Sequence, residues 1–171
     1  MDLRAFVASR REKEYQIECV PNQNRWNEYF VGTDNPICLE SNWSEEMKYL
    51  DHGKLSESIK SLPRNKGGIY MFYLKGINLP FVEHYILYIG RAKCTDNENI
   101  NSRARSYIHD DRELIQLMFD LWSDQLYYRY YPDTNNETIT KNEVLLIRSI
   151  VPPFNTIIPN NIQEQPEVNA F

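Results

Sequence analysis

Two tyrosines, a group of basic residues and one glutamate are the side chains whose types and spacing could do chemistry in this sequence. Tyr70 and Tyr88 lie in two apolar runs, Gly67-Gly68-Ile69-Tyr70-Met71-Phe72-Tyr73 and Tyr85-Ile86-Leu87-Tyr88-Ile89-Gly90. On neighbouring strands these runs bring two phenols to one face, where they serve either as core cover or as reactive hydroxyls. A phenol has a reference pKa of about 10 and acts as a base near neutrality only where adjacent positive charge favours the phenolate. Such charge follows the second run as Arg91, Lys93, Arg103 and Arg105. Arginine is always ionised, and its planar fork matches phosphate oxygens, so it suits a site where negative charge builds on phosphorus. Tyr107, one helical turn beyond Arg103, shares its face. Glu143 has two readings. Thr140-Lys141-Asn142-Glu143 spells a capping box, in which the carboxylate folds back on the Thr140 amide. A single carboxylate is also enough for Mg²⁺, which keeps several waters and takes further ligands from substrate phosphate. Asn155, just after Pro152-Pro153, reads as a turn residue.

The elements that must position these groups are legible in outline. Period-two apolar patterning predicts strands over 67–74, 84–90 and 125–131, the first two joined by a long loop containing Gly76, Asn78 and Pro80. Asp110 and Asp111 can cap a helix with Leu114, Leu117, Met118, Leu121 and Trp122 along one stripe. A second helix is expected over 138–151, stopped by Pro152-Pro153. Upstream, 41–50 and 54–62 read as helices, with Ser44 as an N-cap and Leu55, Ile59 and Leu62 on one face. A charged helix over 2–13 and a strand over 15–20 complete the expected elements. The expected architecture is α+β, a small, mostly antiparallel three-stranded sheet flanked by helices.

The ordered set of residues resembles the GIY-YIG nuclease family. Gly68-Ile69-Tyr70 and Tyr88-Ile89-Gly90 stand where its two signature triplets would, followed by Arg91-Ala92-Lys93, by Arg103 with Tyr107, by Glu143, and by Pro153-Phe154-Asn155. The resemblance spans 67–158. Within it, Arg105 with His109 also fits the arginine spacing, because the polar loop 94–101 is longer than the family's usual link. Arg103 matches the common form better.

The resemblance implies a divalent-metal-dependent endonuclease that hydrolyses DNA phosphodiester bonds, with Mg²⁺ as cofactor and Mn²⁺ as a substitute. It implies Tyr70, Tyr88, Arg103, Tyr107 and Glu143 as catalytic residues and Glu143 as the metal ligand. Arg91, Lys93, Arg105 and Asn155 would bind substrate or fix the site. Restriction or phage defence is one setting; repair and mobile-element nucleases are others. The alternative from a different class is a catalytically silent module that binds DNA or protein.

Bulk properties agree with a soluble globular chain. The 171 residues are 42% hydrophobic and 25% charged, enough for one core without staples. A formal net charge of −5 argues against bulk electrostatic coating of nucleic acid, so any grip on DNA must be a local patch. Three widely spaced cysteines, Cys19, Cys38 and Cys94, make no zinc or disulfide pattern. No long apolar run precedes Arg10-Arg11 and none approaches membrane-spanning length, so a cytoplasmic location is expected. Three segments are expected: an extension over 1–65 for recognition or homodimer formation, a nuclease-like domain over 66–158, and a polar tail over 159–171.

Overall fold

The computed structural model describes residues 35–75, 85–157 and 159; the elements expected over 2–20, the loop over 76–84 and the tail beyond 159 fall outside them. The architecture is α+β. Its centre is an antiparallel sheet of four strands: β1 (Met47–Lys48), β6 (Leu126–Asp133), β4 (Gly67–Leu74) and β5 (Tyr85–Ala92), in that spatial order. A small hairpin, β2 (Leu50–Asp51) with β3 (Lys54–Leu55), precedes the short helix α1 (Glu57–Lys60). Three longer helices follow in the chain: α2 (Ile100–Ser106), α3 (Glu113–Trp122) and α4 (Asn136–Ile150).

β4 is apolar on both faces because helices cover both. Tyr70, Phe72 and Leu74 join Tyr49, Tyr107, Met118 and Tyr128 in one core cluster, under α2 and α3. Ile69 and Ile89, on the opposite face, meet Ile139 and Ile147 of α4. Each such side chain contributes about 1.5–3 kcal/mol on full burial, so the central strands are tied into two layers at once. Gly68 permits the β4–β6 pairing. Its φ is +140°, and a Cβ there would sit 2.0 Å from the Tyr131 carbonyl oxygen.

Several expectations are corrected. The sheet has a fourth strand, because the segment read as a helix over 41–50 runs along β6 instead. Met47 pairs with Tyr128, and Ser44 exchanges bonds with Tyr130 through its own N–H (2.8 Å) and its hydroxyl (3.1 Å). Ser44 is therefore a sheet-edge residue and not a helix cap. The helix read over 54–62 shrinks to α1, capped by the Ser56 hydroxyl. His52 and Gly53, with φ of 48° and 75°, make the turn that helical periodicity concealed. No correction attaches to the packing of the described part of 1–65: Tyr49, Ile59 and Leu62 lie in the main cluster, and the Tyr49 hydroxyl donates to the Ala104 carbonyl at 2.6 Å.

β6 continues through Pro132 to Asp133, where a stop was expected. Pro132 is opposite Gly68, and β1 covers only Tyr127 and Tyr128 on the other side, so the missing N–H breaks no strand pair there. The helix after Tyr107 begins at Glu113 rather than at an aspartate cap, since Asp110 spends its carboxylate on Arg112. Its fully packed positions are Ile115 and Met118, with Leu121 exposed. Helix α4 begins two residues earlier than expected, with the Asn135 side chain accepting from the Glu137 and Thr138 amides. Thr140 is thus inside the helix and its hydroxyl donates to the Asn136 carbonyl. The capping-box reading of Glu143 is overturned. Among the described residues, no helix is long and apolar enough to cross a membrane.

Candidate active site

The polar groups meet where β5 forms the edge of the sheet. A strand sends alternate side chains to opposite faces, and at an edge both sets can reach the same space. A cleft of about 300 Å³ opens there, lined by Tyr70, Tyr88, Arg91, Lys93, Glu98, Arg103 and Glu143. Tyr70 and Tyr88 come from the α2 side of the sheet, and Glu143 comes from α4 on the other. The lining contains no aliphatic side chain.

Tyr70 and Tyr88 are diagonal neighbours, because Gly90 lies opposite Tyr70 and Phe72 lies opposite Tyr88. Their ring centroids are 6.5 Å apart. The glycine has a steric role. A Cβ on Gly90 would lie 2.5 Å from the Tyr70 hydroxyl oxygen, so its absence leaves room for the phenol. Tyr70 is fully buried, and its hydroxyl shares a 2.6 Å hydrogen bond with the Tyr107 hydroxyl. Arg103 Nε donates to the same Tyr70 oxygen at 3.2 Å, and its guanidinium lies 5.2 Å from the Tyr107 ring centroid. Burial pushes the Tyr70 phenol far above its ordinary range, reinforced by the neighbouring Tyr88, and the Arg103 charge offsets only part of this. Tyr107 moves the same way for the same leading reason. In the free protein the Arg103 charge therefore does not outweigh burial at the Tyr70 phenol. Tyr88 is buried as well, with 8% of its exposure left, and lines the same cleft.

Arg103 and Arg105 separate cleanly. Two residues along a helix rotate the side chain by about 200°, so when Arg103 faces Tyr70, Arg105 points outward. Arg105 and His109 are exposed and lie off the cleft lining.

Glu143 is mostly enclosed, and Arg91 Nη1 donates to its Oε2 at 2.5 Å. Burial pushes the Glu143 carboxyl up, while Arg91 pulls it down by less. Asn155 braces the site from behind: its Oδ1 accepts from the Ile89 N–H (2.9 Å) and its Nδ2 donates to the Ile89 carbonyl (2.8 Å). The amide thus imitates a partner strand beside β5 and fixes the backbone between Tyr88 and Gly90. Its polar groups are spent on that backbone.

Two residues were missed by sequence reasoning. Glu98 reaches the cleft from the loop before α2, where its Oε1 accepts from the Lys93 N–H at 3.1 Å. The signal was present in Asn99-Ile100-Asn101-Ser102, a reciprocal cap that starts α2 and sets Glu98 just ahead of it. Arg112 lies 5.6 Å from the Tyr107 ring centroid and is clamped by Asp110 through bonds of 2.7 and 2.8 Å. Those bonds, with burial opposing them, hold the Asp110 carboxyl below the usual range. No pattern beyond the Asp-x-Arg spacing announces Arg112.

Among the described residues, no group of three or more His, Cys, Asp or Glu side chains forms a ready-made ion cage. The donor set suits an ion that needs few protein ligands: Glu143 supplies one carboxylate, and Glu98 faces the same cleft. Mg²⁺ is such an ion, since it keeps waters and shares phosphate oxygens. Three cations, Arg91, Lys93 and Arg103, stand against the two carboxylates, an excess that favours an anionic ligand. No family model, curated protein or solved structure matches the chain.

Proposed function

We propose that this chain is a divalent-metal-dependent endonuclease of the GIY-YIG kind, hydrolysing DNA phosphodiester bonds. The observation that supports it most is the meeting of Tyr70, Tyr88, Arg91, Lys93, Arg103 and Glu143 in one polar cleft, from two strands and two helices on both sides of the sheet. An accidental scatter of surface charge would not gather a buried phenol pair, a partly buried arginine and an enclosed carboxylate.

In this reading Arg103 faces the phosphorus and neutralises the charge that builds on its oxygens, held in aim by Tyr70 and Tyr107. Arg91 and Lys93 grip the flanking phosphate. Tyr88, which lines the cleft and is less completely buried than Tyr70, accepts a hydrogen bond from the attacking water at its phenolic oxygen and orients it in line. Tyr70 acts through Arg103. Glu143 would hold the divalent ion, which supplies Lewis-acid stabilisation of the leaving 3′ oxygen. One such cleft cuts one strand, so a double-strand break requires a homodimer or two successive nicks.

The reading is tested by incubating the protein with supercoiled plasmid in Mg²⁺, in Mn²⁺ and in EDTA. Nicking is expected with either metal and not in the chelator; an equal rate in EDTA would refute the metal role. Tyr88→Phe should lower turnover more than Tyr70→Phe. The silent-binder alternative draws on one observation, the engagement of Glu143 by Arg91. It requires DNA binding without cleavage under every metal condition.

Gly90→Ala gives an independent check on geometry. The new methyl must displace the Tyr70 ring, and with it the partner of Arg103. Turnover is expected to fall by about 10- to 100-fold, as misplacement by an ångström typically does. Far-ultraviolet circular dichroism should remain that of the wild type. A fully active Gly90→Ala protein would show that the Tyr70 position does not matter.

A further inference from the structure

The Arg91–Glu143 pair gives the cleft a property that neither residue carries alone. The Glu143 side chain retains 17% of its exposure and that of Arg91 retains 34%, so the carboxylate is enclosed while the guanidinium is open to the cleft. A guanidinium and a divalent ion compete for the same carboxylate lone pairs and repel one another. Yet an enclosed carboxylate with no cation beside it is strongly disfavoured. The free protein resolves this by seating Arg91 on Glu143.

The planar fork that pairs with a carboxylate pairs equally well with a phosphate. Arg91 lies in the same cleft as Lys93 and Arg103, where an entering phosphate would be drawn. We propose that Arg91 is a placeholder for the divalent cation, neutralising Glu143 in the free protein and passing to the phosphate of the ligand, so that phosphate and divalent ion bind cooperatively. This rests on the reading of Glu143 as the metal ligand. The exchange leaves no enclosed charge without a partner at either end: Glu143 changes one cation for another, and Arg91 changes one anion for another. Its consequence is that the ion is held more tightly when a phosphate ligand is present.

The test is calorimetry on the full chain, with Mn²⁺ as the ion and thymidine 3′,5′-bisphosphate as a phosphate probe that has no internucleotide bond to cut. Saturating probe is expected to tighten Mn²⁺ binding by about tenfold or more. Saturating Mn²⁺ must then tighten the probe by the same factor, since coupling is reciprocal. Arg91→Met should bind Mn²⁺ tightly without the probe, bind the probe alone more weakly, and show a much smaller coupling factor. Direct contact between ion and phosphate would leave the coupling equal in both proteins, and that result overturns the proposal. So does an absence of coupling in the wild type, which needs no variant to fold. Glu143→Gln separates the two layers. If it abolishes Mn²⁺ binding while Arg91→Met changes nothing, the metal site stands and the placeholder fails; if Mn²⁺ binds none of the three proteins, both fail.

Discussion

Glu143→Gln is expected to slow Mg²⁺-dependent DNA cleavage by about 1000-fold, the rate equivalent of losing about 4 kcal/mol of charge stabilisation in the transition state. Glutamine keeps the shape and an acceptor oxygen for Arg91, so the thermal midpoint should stay near that of the wild type. Plasmid nicking and a denaturation curve on the same preparation separate chemistry from folding. A protein that cuts normally but unfolds early would make Glu143 only a structural partner of Arg91. Helix capping is no longer a competing account, because α4 starts from Asn135 and Glu143 lies well inside it. Only the ionised carboxylate can hold the ion. Burial raises the Glu143 pKa against the smaller pull of Arg91. The wild-type rate should therefore decline on acidification sooner than it would for an exposed glutamate.

Arg103→Ala should lower single-turnover cleavage by about 100- to 1000-fold, the range seen on removing one preorganised donor to developing charge. DNA affinity should change far less, because Arg91 and Lys93 still offer phosphate contacts and the lost interaction strengthens mainly in the transition state. Arg103→Lys should not rescue the rate, since an ammonium reproduces neither the fork nor the Nε bond to Tyr70. Arg105→Ala should stay within about twofold, as expected of an exposed charge off the cleft. If Arg105→Ala proved the more damaging change, the assignment of the phosphate-facing arginine would be wrong.

Much of the sheet was legible because β4, β5 and β6 carry period-two apolar runs bounded by turn residues, and α4 was legible from its stripe and its closing prolines. The segment over 41–62 was misread for a physical reason. Met47 and Leu50 have the i, i+3 spacing of a helix, but Met47 and Lys48 take the hydrogen bonds offered by the open edge of β6, and Leu50 pairs with Leu55 across a hairpin, which a short isolated helix cannot match. Glu98 and Arg112 went unnoticed because each acts through a neighbour brought close by the fold, Lys93 in one case and Tyr107 in the other.

The sequence by itself determined which chemical groups this protein has and, through strand periodicity, that Tyr70 and Tyr88 share one face. It also determined that Arg103 and Tyr107 share a helical side. The tertiary structure alone decided what each group is able to do. It buried Tyr70 completely and left Tyr88 with a small exposed remainder at the cleft, it turned Arg103 inward and Arg105 outward, and it set Arg91 against Glu143 across 52 positions of chain. Ionisation and reach depend on dielectric and distance. Those are fixed by how β5 ends at the sheet edge between α2 and α4, and no local pattern in the chain encodes them.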